Sequence, residues 1–220
     1  MTRSWPTAWT TRGVSTLSDD SDPPSARGRV RFNFLVGSVA AITTEPSVEG
    51  AIAVLTGKPL SGRFRAADME MFEFGEQVPF IDRQGRARTI GEYRLHVQCS
   101  WRIVRAGTIL VGYADMTEPP SGVAAVDFDP NTGTKNRRDE LVALFLEDTS
   151  LDGRVVTRQE TTPYGDVRLT FREGSRLELF PEASARDNES WRLLMPDGSH
   201  IVMSGAGLER LPPMTTRPTG

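Results

Sequence analysis

The residues best suited to chemistry in this 220-residue chain sit close together: Glu92, His96, Cys99 and Asp115. A thiol near an imidazole suggests a cysteine nucleophile with its base. A histidine among carboxylates suggests instead acid-base or metal-assisted hydrolysis by Glu92, His96 and Asp115. His200 is the only other histidine, so a two-histidine metal site would need it beside His96, completed by Asp115 or Asp197. Nothing in the spacing requires such a site, and no metal or other cofactor is expected. A second pattern is the repeated dipeptide Trp101-Arg102 and Trp191-Arg192. Its guanidiniums would either grip a small anionic ligand, carboxylate or phosphate, or form ion pairs beside two large core anchors. Arg94 joins them as a third candidate ligand. In the run from Gly62 to Gly75, Arg65, Asp68 and Glu70 precede Phe72 and Phe74, but the glycine spacing matches no phosphate loop.

Whether these groups can meet depends on the backbone that carries them. From Glu92 to Ile103, the residues Tyr93, Leu95, Val97, Cys99, Trp101 and Ile103 alternate with Glu92, Arg94, His96, Gln98, Ser100 and Arg102. This period of two predicts one continuous strand. On it His96 and Cys99, three positions apart, face opposite ways, so the imidazole does not reach the sulfur and Cys99 reads as a small core hydrophobe. The polar row holding Arg94, His96 and Arg102 is either the solvated face of a sheet or the lining of a groove. Arg105-Ala106-Gly107-Thr108 predicts a turn, and Ile109 to Tyr113 the returning strand of a hairpin.

Further strands are predicted at Val30 to Val36 and Met69 to Phe74. In the second half they are predicted at Val155 to Glu160, Asp166 to Phe171, Ser175 to Phe180, Trp191 to Met195 and His200 to Met203. Gly165, Arg172-Glu173-Gly174 and Pro196-Asp197-Gly198 supply turns between them, which makes an antiparallel meander. Helices are expected over Val48 to Thr56 and over Asn136 to Asp148, the latter with Asn136 as N-cap and Asp139 and Glu140 in its first turn. Ile52-Ala53-Val54-Leu55 matches Val142-Ala143-Leu144-Phe145 at an offset of 90 residues, as Trp101 matches Trp191. An internal duplication is one reading of these matches and coincidence the other.

The expected fold is α+β: a mainly antiparallel meander sheet with two helices in a single domain over 29–210, with candidate halves 29–116 and 136–210. Met1 to Gly28 is Ser-, Thr-, Asp- and Pro-rich and reads as a disordered tail in which Trp5 and Trp9 stand out; 211–220 is a second tail. The net charge of -3 disfavours generic binding to nucleic acid. The 24 arginines against 2 lysines fit a GC-rich genome. No apolar run approaches the roughly 20 residues of a membrane helix, no leader is apparent, and the single Cys99 suits a reducing cytosol.

RAADMEMFEFGE, GEYRLHVQCSWRIVRAGTILVGYADM, GDVRLTF, SRLELFPEAS and ESWRLLMPDGSHIVMSG resemble the ordered blocks of a group of soluble actinobacterial proteins. The likeness spans Pro46 to Gly207, and its specific part is the Leu-His-Val-Gln-Cys-x-Trp-Arg block. The group has Pro or Ala where this chain has Ser100, and Gly-Ser-x-Asp where it has Gly112-Tyr113-Ala114-Asp115. The resemblance implies a bacterial intracellular protein and no particular activity. With no catalytic signature, the favoured function is a non-catalytic protein-interaction module, immunity-like or regulatory. A toxin bound by so acidic a domain would be basic. The alternatives are a hydrolase using Glu92, His96 and Asp115, and a binder of small anions through Arg102 and Arg192.

Overall fold

The computed structural model describes residues 47–82 and 84–213. The strand expected at Val30 to Val36 and the tail with Trp5 and Trp9 lie outside the described residues. In chain order the elements are α1 (Val48–Ala53), β1 (Leu60–Ala66), β2 (Met69–Ile81), β3 (Ala87–Val97), β4 (Ser100–Arg105) and β5 (Thr108–Gly112). Short 3-10 helices (Tyr113–Thr117, Ala125–Asp127 and Pro130–Thr132) lead to α2 (Arg137–Asp148). Then come β6 (Val156–Thr161), β7 (Val167–Phe171), β8 (Arg176–Phe180), β9 (Glu189–Leu194), β10 (His200–Ser204) and β11 (Gly207–Leu211).

The strands form two antiparallel sheets, one of six in the order β1-β2-β3-β9-β10-β11 and one of five in the order β5-β4-β8-β7-β6. The α+β class and the antiparallel pairing agree with the alternation. The strands, however, are divided between two sheets, and the stretch from Glu92 to Ile103 is not one strand. β3 ends at Val97 in the first sheet and β4 begins at Ser100 in the second. At the step between them the amides of Gln98 and Cys99 both donate to the Ser190 carbonyl, at 2.9 and 3.1 Å. The alternation survives because both sheets turn the same side to one core: Leu95, Val97, Cys99, Trp101 and Ile103 are all buried. The second-half meander divides in the same way, β8 staying in one sheet while β9 joins the other.

The two halves match in strand order as far as β5 and β10, and in register where the exchanged hairpins pair, while β11 has no counterpart. A helix precedes a three-stranded meander in each, and the following hairpin leaves to extend the other meander: β4 pairs with β8, and β9 with β3. Trp101 opposes Leu179 where Trp191 opposes Val97, and Arg102 opposes Glu178 where Arg192 opposes His96. The helices follow the 90-residue offset, since Ile52 and Leu55 are buried like Val142 and Phe145.

Both tryptophans anchor the shared core. Trp101 meets Phe72 edge-on, with centroids 5.1 Å apart, and Trp191 donates Nε1–H to the Gly165 carbonyl at 2.8 Å. Gly165 is held at φ +92, and a Cβ there would lie 2.6 Å from Met203 Cγ, so no larger residue fits.

α2 starts as its residues dictate. The Asn136 side chain accepts from the Asp139 amide (3.0 Å) and Asp139 accepts from the Asn136 amide (3.2 Å). α1 is shorter than the expected span to Thr56, with Val54 as its C-cap. β1 and β11 are strands that the alternation does not announce, and β11 runs to Leu211, one residue into the expected tail.

In β1, after the buried Leu60, the inward positions belong to Arg63 and Arg65, which reach Asp139 of α2 at 2.8 and 3.0 Å. Arg63 also pairs with the fully buried Glu70 (2.8 Å), as does the fully buried Arg138 (3.4 Å). Burial pushes the Glu70 carboxyl up to about 7 against the pull of Arg63 and Arg138.

Leu95 and Leu177 hold equivalent, fully buried places in the two halves. Leu95→Ala and Leu177→Ala are each expected to cost about 2–5 kcal/mol in urea unfolding, with one cooperative transition in both variants. Two separate transitions would show that the halves do not share a core.

Candidate functional site

The pairing registers place two rows of side chains across the outer face of the six-stranded sheet. One row reads Phe64, Met71, His96, Arg192, Val202, and the next Gly62, Glu73, Arg94, Leu194, His200. Arg94 and His96 are neighbours on β3, and with Phe64, Met71, Glu73 and Arg88 they line a hollow of about 330 Å³. The Arg88 guanidinium lies over both Phe64 (5.6 Å) and Phe80 (5.3 Å), and Arg94 lies over Phe80 (5.6 Å). The ring faces hold the cations.

Arg94 is half-buried, yet among the described residues neither it nor Arg88 forms an ion pair. Glu73 stands opposite Arg94 in the register and its charge acts on it, while its Oε2 accepts from Gln77 Nε2 at 3.5 Å. Arg192 differs, since Glu189 grips it through two contacts, Nε at 3.0 Å and Nη2 at 2.5 Å, and its Nη1 sits 3.1 Å from His200 Nδ1. His96 Nε2 is buried with no partner among the described residues. Burial, then the charges of Arg94 and Arg192, push its ring down to about 4, so it is neutral near pH 7. Burial and Arg192 also hold His200 below its ordinary value. Arg154, buried and likewise without an ion pair among the described residues, is not among the residues that line this hollow.

No family model, curated protein or solved structure matches this chain.

The hydrolytic set is not assembled. Glu92 is held by Lys58 Nζ at 2.7 Å, beside a separate hollow of about 430 Å³ lined by Lys58, Ser61 and Glu76. Asp115 accepts from the Gly112 amide at 2.7 Å and faces Arg137 at 3.8 Å. His96 lies on the sheet face between two arginines. Among the described residues no three of His, Cys, Asp and Glu gather as metal ligands, and Asp197 is occupied by Ser199, whose Oγ lies 2.6 Å away. His96 and His200 do approach each other, but beside Arg94 and Arg192, whose positive charge opposes a cation.

Arg102 and Arg192 do not form a joint fork either. They lie in different sheets, Arg102 on Glu178 (2.7 Å) and Arg192 on Glu189. Cys99 is a core residue, as its face predicts. Burial pushes its thiol up to about 12, which leaves it protonated and unreactive. Phe64, Phe80 and Arg88 were not singled out by spacing. Extending the alternation of Glu92, Arg94 and His96 backward reaches Arg88, but Phe64 needs the register of β1.

His96 titrates below the ordinary 6.5, so the unfolded chain takes up the proton first. The stability carried by the neutral ring is complete above about pH 6.5 and is lost as pH falls toward 4. NMR titration should place the His96 midpoint near 4, and wild type should lose more stability than His96→Gln across that window. A midpoint at 6.5 would mean an open, solvated ring.

Proposed function

We propose that this protein is a non-catalytic interaction module that docks an acidic segment of a protein partner on the outer face of the six-stranded sheet, centred on Arg94. The observation that carries this reading is a half-buried arginine, Arg94, that lines a hollow and forms no ion pair among the described residues. A desolvated charge costs free energy until an opposite charge reaches it, so the site favours a partner that brings one. Phe64, 49% exposed, adds an apolar contact at the edge of the hollow, and Arg88 adds a second cation. The local charge decides the partner here, rather than the net -3 of the chain. An immunity-like grip on a basic toxin would need an acidic surface elsewhere.

The matched strand orders and registers support an internal duplication, after which the two outer faces diverged. No helix among the described residues is long and apolar enough to cross a bilayer. A buried, protonated thiol at Cys99 suits a reducing cytosol.

Titrating isotope-labelled protein with a glutamate-rich peptide should perturb resonances of β1, β2, β3 and β9. The effect should weaken about tenfold as salt rises from about 0.05 to about 0.3 M. Arg88→Glu with Arg94→Glu should abolish it while leaving the melting temperature close to that of wild type. Equal binding of a lysine-rich peptide, or perturbations confined to the five-stranded sheet, would overturn the reading.

A further inference from the structure

The correspondence between the sheets identifies the anion that the hollow lacks. In the five-stranded sheet the row Arg102, Glu178, Arg168, Glu160 crosses the outer face. Glu178 sits at its centre, taking Arg102 Nε at 2.7 Å, Arg168 Nε at 2.9 Å and Arg176 Nε at 3.5 Å. Burial works to raise the Glu178 carboxyl, but Arg102 and then Arg168 hold it below its ordinary value.

Superposing the registers puts Arg192 in the place of Arg102, Arg94 in the place of Arg176, and His96 in the place of Glu178. Met71 stands where Arg168 stands, and Phe64 where Glu160 stands. The six-stranded sheet therefore keeps two of the three cations and replaces the carboxylate they surround with a neutral imidazole. Glu189 pairs with Arg192, while Arg94 forms no ion pair among the described residues and has only the more distant charge of Glu73 acting on it.

We infer that the hollow binds a single carboxylate from outside the chain, seated over His96 against Arg94, where the other half carries its own Glu178 carboxylate. This rests on the proposed docking of an acidic segment and specifies which group of that segment the site reads. A carboxylate suits the place better than a phosphate. The matching site balances one carboxylate with single Nε contacts from three arginines, and with Arg192 already paired with Glu189 only Arg94, with Arg88 beside it, remains to balance the incoming charge, which suits one carboxylate better than a phosphate carrying more charge.

The test compares acetate, glutarate, inorganic phosphate and the glutamate-rich peptide at matched ionic strength, read by the Arg94 Nε and His96 ring resonances and by melting temperature. Glutarate and acetate should shift both resonances and raise the melting temperature by about 2–4 °C at saturation. Phosphate should act at least about tenfold more weakly, a difference of about 1.4 kcal/mol. Arg94→Gln should remove the response.

His96→Glu restores the internal carboxylate of the other half. It should raise the melting temperature of the ligand-free protein and eliminate the response to every carboxylate. Because Glu at that place also changes the packing around it, Arg94→Gln serves as the independent arm: a carboxylate response unchanged in Arg94→Gln overturns the inference. Phosphate binding at least as tightly as glutarate also overturns it. If the peptide binds through Arg94 while no small carboxylate perturbs Arg94 or His96, the single-carboxylate site is refuted and the docking surface stands. If neither binds, both fail.

Discussion

Neither half of this chain completes its own sheet. β3 has β2 on one side and finds its other neighbour only in β9, and β8 likewise depends on β4. The backbone groups along those edges must be paired wherever water is excluded, so the exchanged hairpins are a condition of the core. The step from β3 to β4 is where the exchange is enforced. Two successive amides, of Gln98 and Cys99, converge on one carbonyl of β9, tying the crossing strand to the strand that crosses the other way. Trp101 and Trp191 follow these crossings at equivalent places, each delivered into the common core by the strand that has just changed sheets.

The one inward edge left to charge is closed by α2. Arg63, Arg65 and Arg138 surround Glu70 and Asp139, with Arg138 stacked against Trp101 (5.9 Å) and Tyr113 (5.6 Å). Such a group is weak evidence for stability, because desolvating each ion offsets much of the attraction. Its geometry does fix where the helix sits, since an Asp139 held by two arginines admits one docking position. The same residue caps the helix, so the start of α2 and its attachment to β1 are set by a single carboxylate.

The strands with clean alternation were legible in the sequence, and so was the capped helix. Gly107, with φ +81 after Ala106 at φ +47, turns β4 into β5 as its residues suggest. β1 was not legible for two physical reasons. Its inward positions after Leu60 are arginines, which inverts the polar pattern, and its turn into β2 runs through Ala67 at φ 54, where no glycine or asparagine marks the reversal. The step at Gln98 and Cys99 was invisible because a strand that passes between two sheets around one core keeps its period. In the candidate site, Arg94 and His96 stood out by type and by face. The separation of Arg102 from Arg192 depends on sheet order, which alternation does not encode.

The interlocked hairpins also bear on how the chain must be made. During synthesis β3 emerges with one edge unsatisfied, and the strand that covers it follows only after α2 and the whole second meander. Pairings so distant along the chain form late and slowly. The nascent protein thus carries an open sheet edge while everything between β3 and β9 is made, a period in which chaperone capture or self-association competes with the native partner.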